Sequence, residues 1–187
     1  DGEKRILMAA SDVPALGYKA AAFVPAAEDG GRSERSIVVE PDRLENAFYR
    51  IRLDAQGRLT SVYDKRHRRE VLKEGQCGNV LQAFEDRPMN FDAWDIDLYY
   101  QEKMTEIREL TEAAVEERGP LRGVLRLTWR FQQSVITQRV TIYRDSPRID
   151  FRTEADWREK QVLLKAAFPV DIRTNRAAYD IQFGCIE

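Results

Sequence analysis

The sequence predicts an all-β fold, an antiparallel β-sandwich, and three observations predict it. Apolar and charged residues alternate with a period of two in several long runs, the signature of strands with one buried and one solvated face. Gly, Pro, Asp and Gln clusters separate those runs at regular intervals, as in a meander within a sandwich. Long amphipathic helices that could serve as crossovers between parallel strands are lacking.

Residues 1–30 read as a short β segment and linker. Two short apolar runs within Ile6–Pro25 flank Asp12-Val13-Pro14-Ala15-Leu16-Gly17, whose Pro and Gly mark turns. The polar run Ala26–Ser36 carries a glycine pair and closes this element, so a boundary is expected within 27–36. The sandwich domain is expected over 31–187. Tyr49, Ile51 and Leu53 alternate with Arg50 and Arg52, turn at Asp54-Ala55-Gln56-Gly57, and return as Leu59–Tyr63. This is a hairpin with Gly where positive φ is tolerated. A second turn, Asp64 to Arg69, holds the basic cluster Lys65-Arg66-His67-Arg68-Arg69, read as a solvated hairpin tip.

Gln101–Glu117 is the one helical candidate. Its apolar residues Met104, Ile107 and Leu110 thin out quickly and its neighbours are strands, so it is read as an exposed strand pair. The clearest strands follow: Leu125, Leu127, Trp129 and Phe131; then Ile136, Gln138, Val140 and Ile142; then Ile149, Phe151, Thr153 and Ala155, each set alternating with polar residues. Leu127, Trp129, Ile142, Ile149 and Phe151 are expected inside. The chain begins at Asp1 and ends at Phe183–Glu187 within a strand-like run, which reads as a fragment truncated at its C-terminus.

Composition removes several function classes. With 187 residues the chain can bury roughly 70% of the surface its unfolded form exposes. The balance of 30 basic against 32 acidic residues gives a net charge of −2, which argues against a nucleic-acid partner. No apolar run approaches the ~20 residues that span a membrane, and no secretory leader pattern is present. The two cysteines, Cys77 and Cys185, are far apart and read as reduced thiols, pointing to a cytoplasmic protein.

Chemistry is concentrated in Phe84–Tyr100, where Glu85, Asp86, Asp92, Asp95 and Asp97 stand among Phe91, Trp94, Tyr99 and Tyr100. Carboxylates accept hydrogen bonds from sugar hydroxyls, and aromatic rings stack on the C–H face of a pyranose. The same composition suits a loop whose aromatics anchor it while its acids face water, and both readings stand. Asp92, Trp94, Asp95, Asp97 and Tyr99 are therefore candidate substrate- or interface-adjacent residues, and no catalytic residue is assigned. The calcium-loop pattern is absent around Asp92, Asp95 and Asp97. With one histidine, His67, in a basic turn and two remote cysteines, no zinc site or histidine base is expected. Nucleophile-elbow, P-loop and dinucleotide motifs are absent.

Several of these segments together resemble one family. Leu44-Glu45-Asn46-Ala47-Phe48-Tyr49, followed by Gly57-Arg58-Leu59-Thr60-Ser61-Val62-Tyr63-Asp64-Lys65, is similar to a hairpin of the α-mannosidases of glycoside hydrolase family 38. Asp12–Tyr18 resembles the element before it, and Gly78–Pro88 with Asp92–Asp97 resembles its acid-rich segment. Ser146–Phe151, Asp156-Trp157, Leu163–Lys165, Phe168–Val170 and Ile181–Gly184 resemble later stretches in the same order. The pattern is similar to bacterial and cytosolic-type members.

The resemblance implies a galactose mutarotase-like supersandwich following a catalytic domain. Members hydrolyse terminal α-mannosidic linkages with retention, using an Asp nucleophile and a zinc ion held upstream of this region. No position here matches those motifs, so zinc and nucleophile are expected in the parent catalytic domain and the fragment is expected to be inactive. Its implied partners are that upstream domain and, through the parent, mannose-containing glycans. A carbohydrate-binding or mutarotase-like sugar-binding module is the alternative.

Overall fold

Strands form where the alternation places them. In the computed structural model, which describes residues 6–10, 12–22, 37–92 and 94–187, β1 (Val38–Glu40), β2 (Arg43–Glu45), β3 (Tyr49–Leu53), β4 (Leu59–Asp64) and β5 (Arg69–Glu70) make a five-stranded antiparallel sheet in that order. The β3–β4 turn is built by Asp54, whose Oδ1 accepts from the backbone N–H of Gln56 and Arg58 at 2.9 and 3.0 Å. Gly57 sits there at φ +77, where a Cβ would lie 2.7 Å from Trp129 Cζ2. Left-handed backbone and lack of space both require glycine.

β6 (Val80–Glu85) continues the chain, followed by a 3-10 turn at Leu98–Glu102 and β7 (Met104–Glu106). β8 (Glu109–Arg118), β9 (Arg122–Phe131), β10 (Ser134–Tyr143) and β11 (Ile149–Asp156) form an antiparallel meander. β12 (Val162–Ala167) returns to pair with β6, giving a three-stranded sheet ordered β12-β6-β7, and β13 (Tyr179–Ile181) with β14 (Gly184–Ile186) closes a hairpin. The expected hairpin and meander appear, and within 101–117 β7 and β8 are strands, although they pair with β6 and β9 and not with each other, and Gln101–Glu102 lie in the 3-10 turn.

The inward faces of the five- and four-stranded sheets share one core. Leu44, Ile51 and Val62 from the first meet Leu125, Leu127, Trp129, Ile136, Val140 and Ile142 from the second. Burying each such large side chain contributes roughly 1.5–3 kcal/mol. The sheets approach closely at Gly123 of β9, where a Cβ would lie 2.3 Å from Val39 Cγ2 and 2.9 Å from Ile37 Cγ2. Polar ties cross the sandwich too. Asn46 Nδ2 donates to the Tyr143 carbonyl at 2.8 Å, and Trp129 Nε1 donates to the Gln56 carbonyl at 2.8 Å. Buried Asn79 donates to Gln138 Oε1 at 2.7 Å, and Gln138 Nε2 donates to Thr153 Oγ1 at 2.9 Å.

Four expectations need correction or restriction. Ile149 and Phe151 are only partly buried, because among the described residues β11 is an edge strand with no neighbour on its outer side. Phe151 rests edge-on against Phe168 at 5.2 Å, and residues 152–156 are exposed. Lys65 does not belong to the solvated tip, for its Nζ donates to the Asn46 carbonyl at 2.7 Å and pairs with Glu45 at 2.6 Å, while Arg66, His67 and Arg68 stay exposed. Residues 6–10 and 12–22 form turns and irregular chain without a strand, Gly17 N–H donating to the Pro14 carbonyl at 3.1 Å. The polar linker and the boundary expected within 27–36 lie outside the described residues.

Candidate functional site

The segment between β6 and β7 carries the candidate residues. Two contacts close its base. The Met89 N–H donates to Asp97 Oδ2 at 2.9 Å, and Phe84 meets Tyr100 edge-on with ring centroids 5.2 Å apart. Lys165 of β12 donates to the Tyr100 hydroxyl and lies 4.2 Å from that ring's centroid. This ammonium holds the Tyr100 phenol below its ordinary value of 10.0. Between these ties, Phe91 turns the chain at φ +54, its carbonyl accepting from Trp94 N–H at 2.6 Å and Asp95 N–H at 2.9 Å.

The loop divides in two. Asp97 and Tyr99 face a small open cleft of about 200 Å³, shared with Glu85, Asp86, Tyr100 and Lys103. Within it Glu85 pairs with Lys103 at 2.7 Å and Arg87 at 3.0 Å, and the Lys103 hydrogen bond is the main cause holding its carboxyl below the usual range. Asp86 Oδ1 is shut away from water with no hydrogen-bond partner among the described residues. Asp92, Trp94 and Asp95 lie on the outer half of the loop instead, Trp94 being 88% exposed. The structure thus brings Asp97 and Tyr99 together and leaves the other three candidates facing solvent.

Lys165 and Asp86 are parts of this site that were not among the candidates. Lys165 reaches it because β12 pairs with β6 in the register Lys165↔Gln82. Nothing local in either strand announces that pairing. Among the described residues, no three His, Cys, Asp or Glu side chains are grouped to hold a metal ion. His67 Nδ1 lies 2.7 Å from Asp64 Oδ2 in the exposed β4–β5 turn. Among the described residues, no helix is long and apolar enough to cross a membrane.

Comparison with known proteins adds the family. Residues 44–187 match the profile of the glycosyl hydrolases family 38 C-terminal domain. The chain is 35% identical over 159 residues to "Alpha-mannosidase 2C1" of Homo sapiens, covering 81% of this chain and 15% of that protein. It is 35% identical over 150 residues to "Alpha-mannosidase G" of Dictyostelium discoideum, covering 77% and 14%. Against the Mus musculus "Alpha-mannosidase 2C1" it is 33% identical over 185 residues, covering 94% and 17%. The chain therefore spans under a fifth of the length of these relatives. With the profile running through the sandwich from β2 to the last hairpin, the chain belongs to the family of glycoside hydrolase family 38 C-terminal domains.

Proposed function

We infer that this chain is the non-catalytic β-sandwich region of a retaining α-mannosidase that hydrolyses terminal α-mannosidic linkages. The observation that carries this reading is the family match across the sandwich, joined to relatives named as α-mannosidases. On this reading the nucleophile and the zinc ion belong to the catalytic domain upstream. The sandwich supports that domain and lends the 84–100 loop to the rim of its cleft. Asp92, Trp94, Asp95, Asp97 and Tyr99 are then interface- or substrate-adjacent residues, positioning rather than reacting. Mannose-containing glycans are the proposed substrates of the intact protein, and no nucleic-acid or membrane partner is proposed. A cytoplasmic location accords with Cys77 and Cys185 both being free thiols.

The test is hydrolysis of an aryl α-mannoside by the full-length protein, with the anomer released first read by proton NMR. Release of the α-anomer supports the reading, since a retaining mechanism keeps the configuration. Absence of turnover on α-mannosides alongside turnover on another glycoside would overturn it. A second reading, a sugar-binding module, draws on one observation: Tyr99 beside Asp97 and Asp86, whose Oδ1 has no hydrogen-bond partner among the described residues, in a cleft of about 200 Å³. Mannose titration against heteronuclear NMR shifts of residues 84–103 discriminates it.

A further inference from the structure

Most sheet edges in this domain are short or blunted. Among the described residues β1, β5, β7, β13 and β14 run two or three residues each, and β12 runs six. β8 is long, but register shifts at Leu110/Glu112 and Val115/Glu117 break it, and Arg118 Nε at its end donates to the Val39 carbonyl of β1 at 3.2 Å. β11 differs. It pairs with β10 in unbroken register from Ile149↔Ile142 to Asp156↔Val135, and its other edge is free among the described residues. A long regular edge of unpaired N–H and C=O groups is a template for another strand unless proline, lysine, a bulge or an inward charge blunts it. Residues 148–156 contain no proline and no lysine, and the core-side positions Ile149, Phe151, Thr153 and Ala155 carry no charge.

The charges on the solvent face of this edge decide which strand fits it. Arg148, Asp150, Arg152 and Glu154 alternate in sign, and the alternation is antisymmetric about Phe151. Place a second β11 antiparallel to the first, with a two-fold axis at Phe151. Arg148 of each copy then faces Glu154 of the other, and Asp150 of each faces Arg152 of the other. Every facing pair is of opposite charge, while on the core side Phe151 meets its counterpart and Ile149 meets Thr153. Other registers fail. An axis at Asp150 or at Arg152 sets that residue against itself, and an axis at Thr153 sets Asp150 against Asp156. An axis at Ile149 runs the partner past Pro147 and out of the strand. Within one copy Arg148 pairs with Asp150 and Arg152 with Glu154, yet the two arginine side chains remain 74% and 77% exposed, within reach of a facing carboxylate.

We propose that β11 is a self-pairing edge: two copies of the protein join through antiparallel β11 strands about an axis at Phe151, fusing the two β8–β11 meanders into one sheet. The interface is isologous, as a two-fold dimer requires. Main-chain hydrogen bonds supply its affinity, and the facing side chains fix its register. The edge accepts a strand whose charges run in the opposite order, and β11 read in reverse is such a strand. This assembly is independent of which glycoside the intact protein cleaves.

The experiment is sedimentation velocity on the full-length protein and two charge variants, Asp150→Arg and Arg152→Glu, each alone and the two mixed in equal amounts. The unmodified protein should sediment as a dimer at micromolar concentration. Each variant sets like charges face to face on both sides of the axis, and its dissociation constant should rise on the order of ten- to hundredfold. The mixture should form dimers again, since the arginines of one copy then face the acids of the other. Circular dichroism checks that both variants keep their strands. Asp150 also accepts a hydrogen bond from the Tyr143 hydroxyl at 2.6 Å. Should its replacement unfold the protein, Arg148→Glu mixed with Glu154→Arg makes the same test. A monomeric unmodified protein overturns the proposal, and slow amide exchange over 149–154 in that monomer assigns the edge to another strand of the same polypeptide. A dimer that neither substitution weakens overturns it as well. So does a dimer that both substitutions weaken and mixing fails to restore.

Discussion

Replacing Gly123 by alanine probes how tightly the two sheets close on each other. The added Cβ would stand 2.3 Å from Val39 Cγ2 and 2.9 Å from Ile37 Cγ2, well inside contact distance for carbon. Val39 is almost fully buried in the shared core and cannot swing into solvent. Overpacking of this kind costs about 1–3 kcal/mol, against about 0.4–1 kcal/mol gained because alanine restricts the unfolded chain. Those ranges leave a net loss of about 0–2.6 kcal/mol for Gly123→Ala. Val39→Ala alone removes two buried methyl equivalents, about 1.6 kcal/mol at about 0.8 kcal/mol each. In the double variant the new methyl occupies the space Val39 vacates. The two costs should then fall short of additivity by about 1 kcal/mol, within the range seen for contacting residues. Urea unfolding followed by circular dichroism near 218 nm measures all three variants. Strict additivity in the double variant would refute the close approach of β1 and β9.

Other outcomes follow from single contacts. Trp129→Phe should lose about 0.5–1.5 kcal/mol beyond its change in packing, as the hydrogen bond to the Gln56 carbonyl goes, checked by the same urea titration. Gln138→Leu should cost more, about 1–3 kcal/mol, because it strands the buried Asn79 amide, and Gln138→Glu, which keeps an acceptor for Asn79 but loses the donor to Thr153 and buries a carboxylate, should remain destabilised at neutral pH. Phe151→Ala should cost less than the about 3–5 kcal/mol of a fully buried phenylalanine, since Phe151 is half-exposed on an edge strand. Burial pushes the Glu45 carboxyl up, but hydrogen bonds from Lys65 and Arg43 outweigh it and hold the pKa at about 2, below the ordinary 4.5. A folded-state pKa below the unfolded one adds stability that is complete above pH 4.5 and lost as pH falls toward 2. Glu45→Gln should therefore flatten the acid limb of the stability–pH curve in that window, and an unchanged limb would contradict the assignment.

Much of this fold was legible because its signal is local. Alternation at Leu125–Phe131 and Ile136–Ile142 fixes which face is buried, and Asp54 with Gly57 fixes a turn, with no reference to distant residues. What stayed hidden was decided by neighbours far along the chain. Gln138 falls on the apolar face by alternation, but only the fold supplies Asn79 and Thr153 as its partners. Phe151 reads like Trp129, yet one lies on an edge and the other in the middle of the meander. The β12–β6 pairing that carries Lys165 to Tyr100 links residues separated by the whole meander. The candidate loop was visible as a composition, acids among aromatics, and its division into a cleft-facing Asp97 and Tyr99 and an outward Asp92, Trp94 and Asp95 needed coordinates.

The central claim is that this chain serves an α-mannosidase without carrying its chemistry. The direct measurement is hydrolysis of an aryl α-mannoside by the purified chain, its strand content verified by circular dichroism, with and without added zinc. No turnover above background is expected in either condition, and turnover is expected from the full-length protein under the same assay. Hydrolysis by the isolated chain that tracks it through purification, and is abolished by Asp97→Asn, would contradict the account and make the 84–100 loop an active site in its own right.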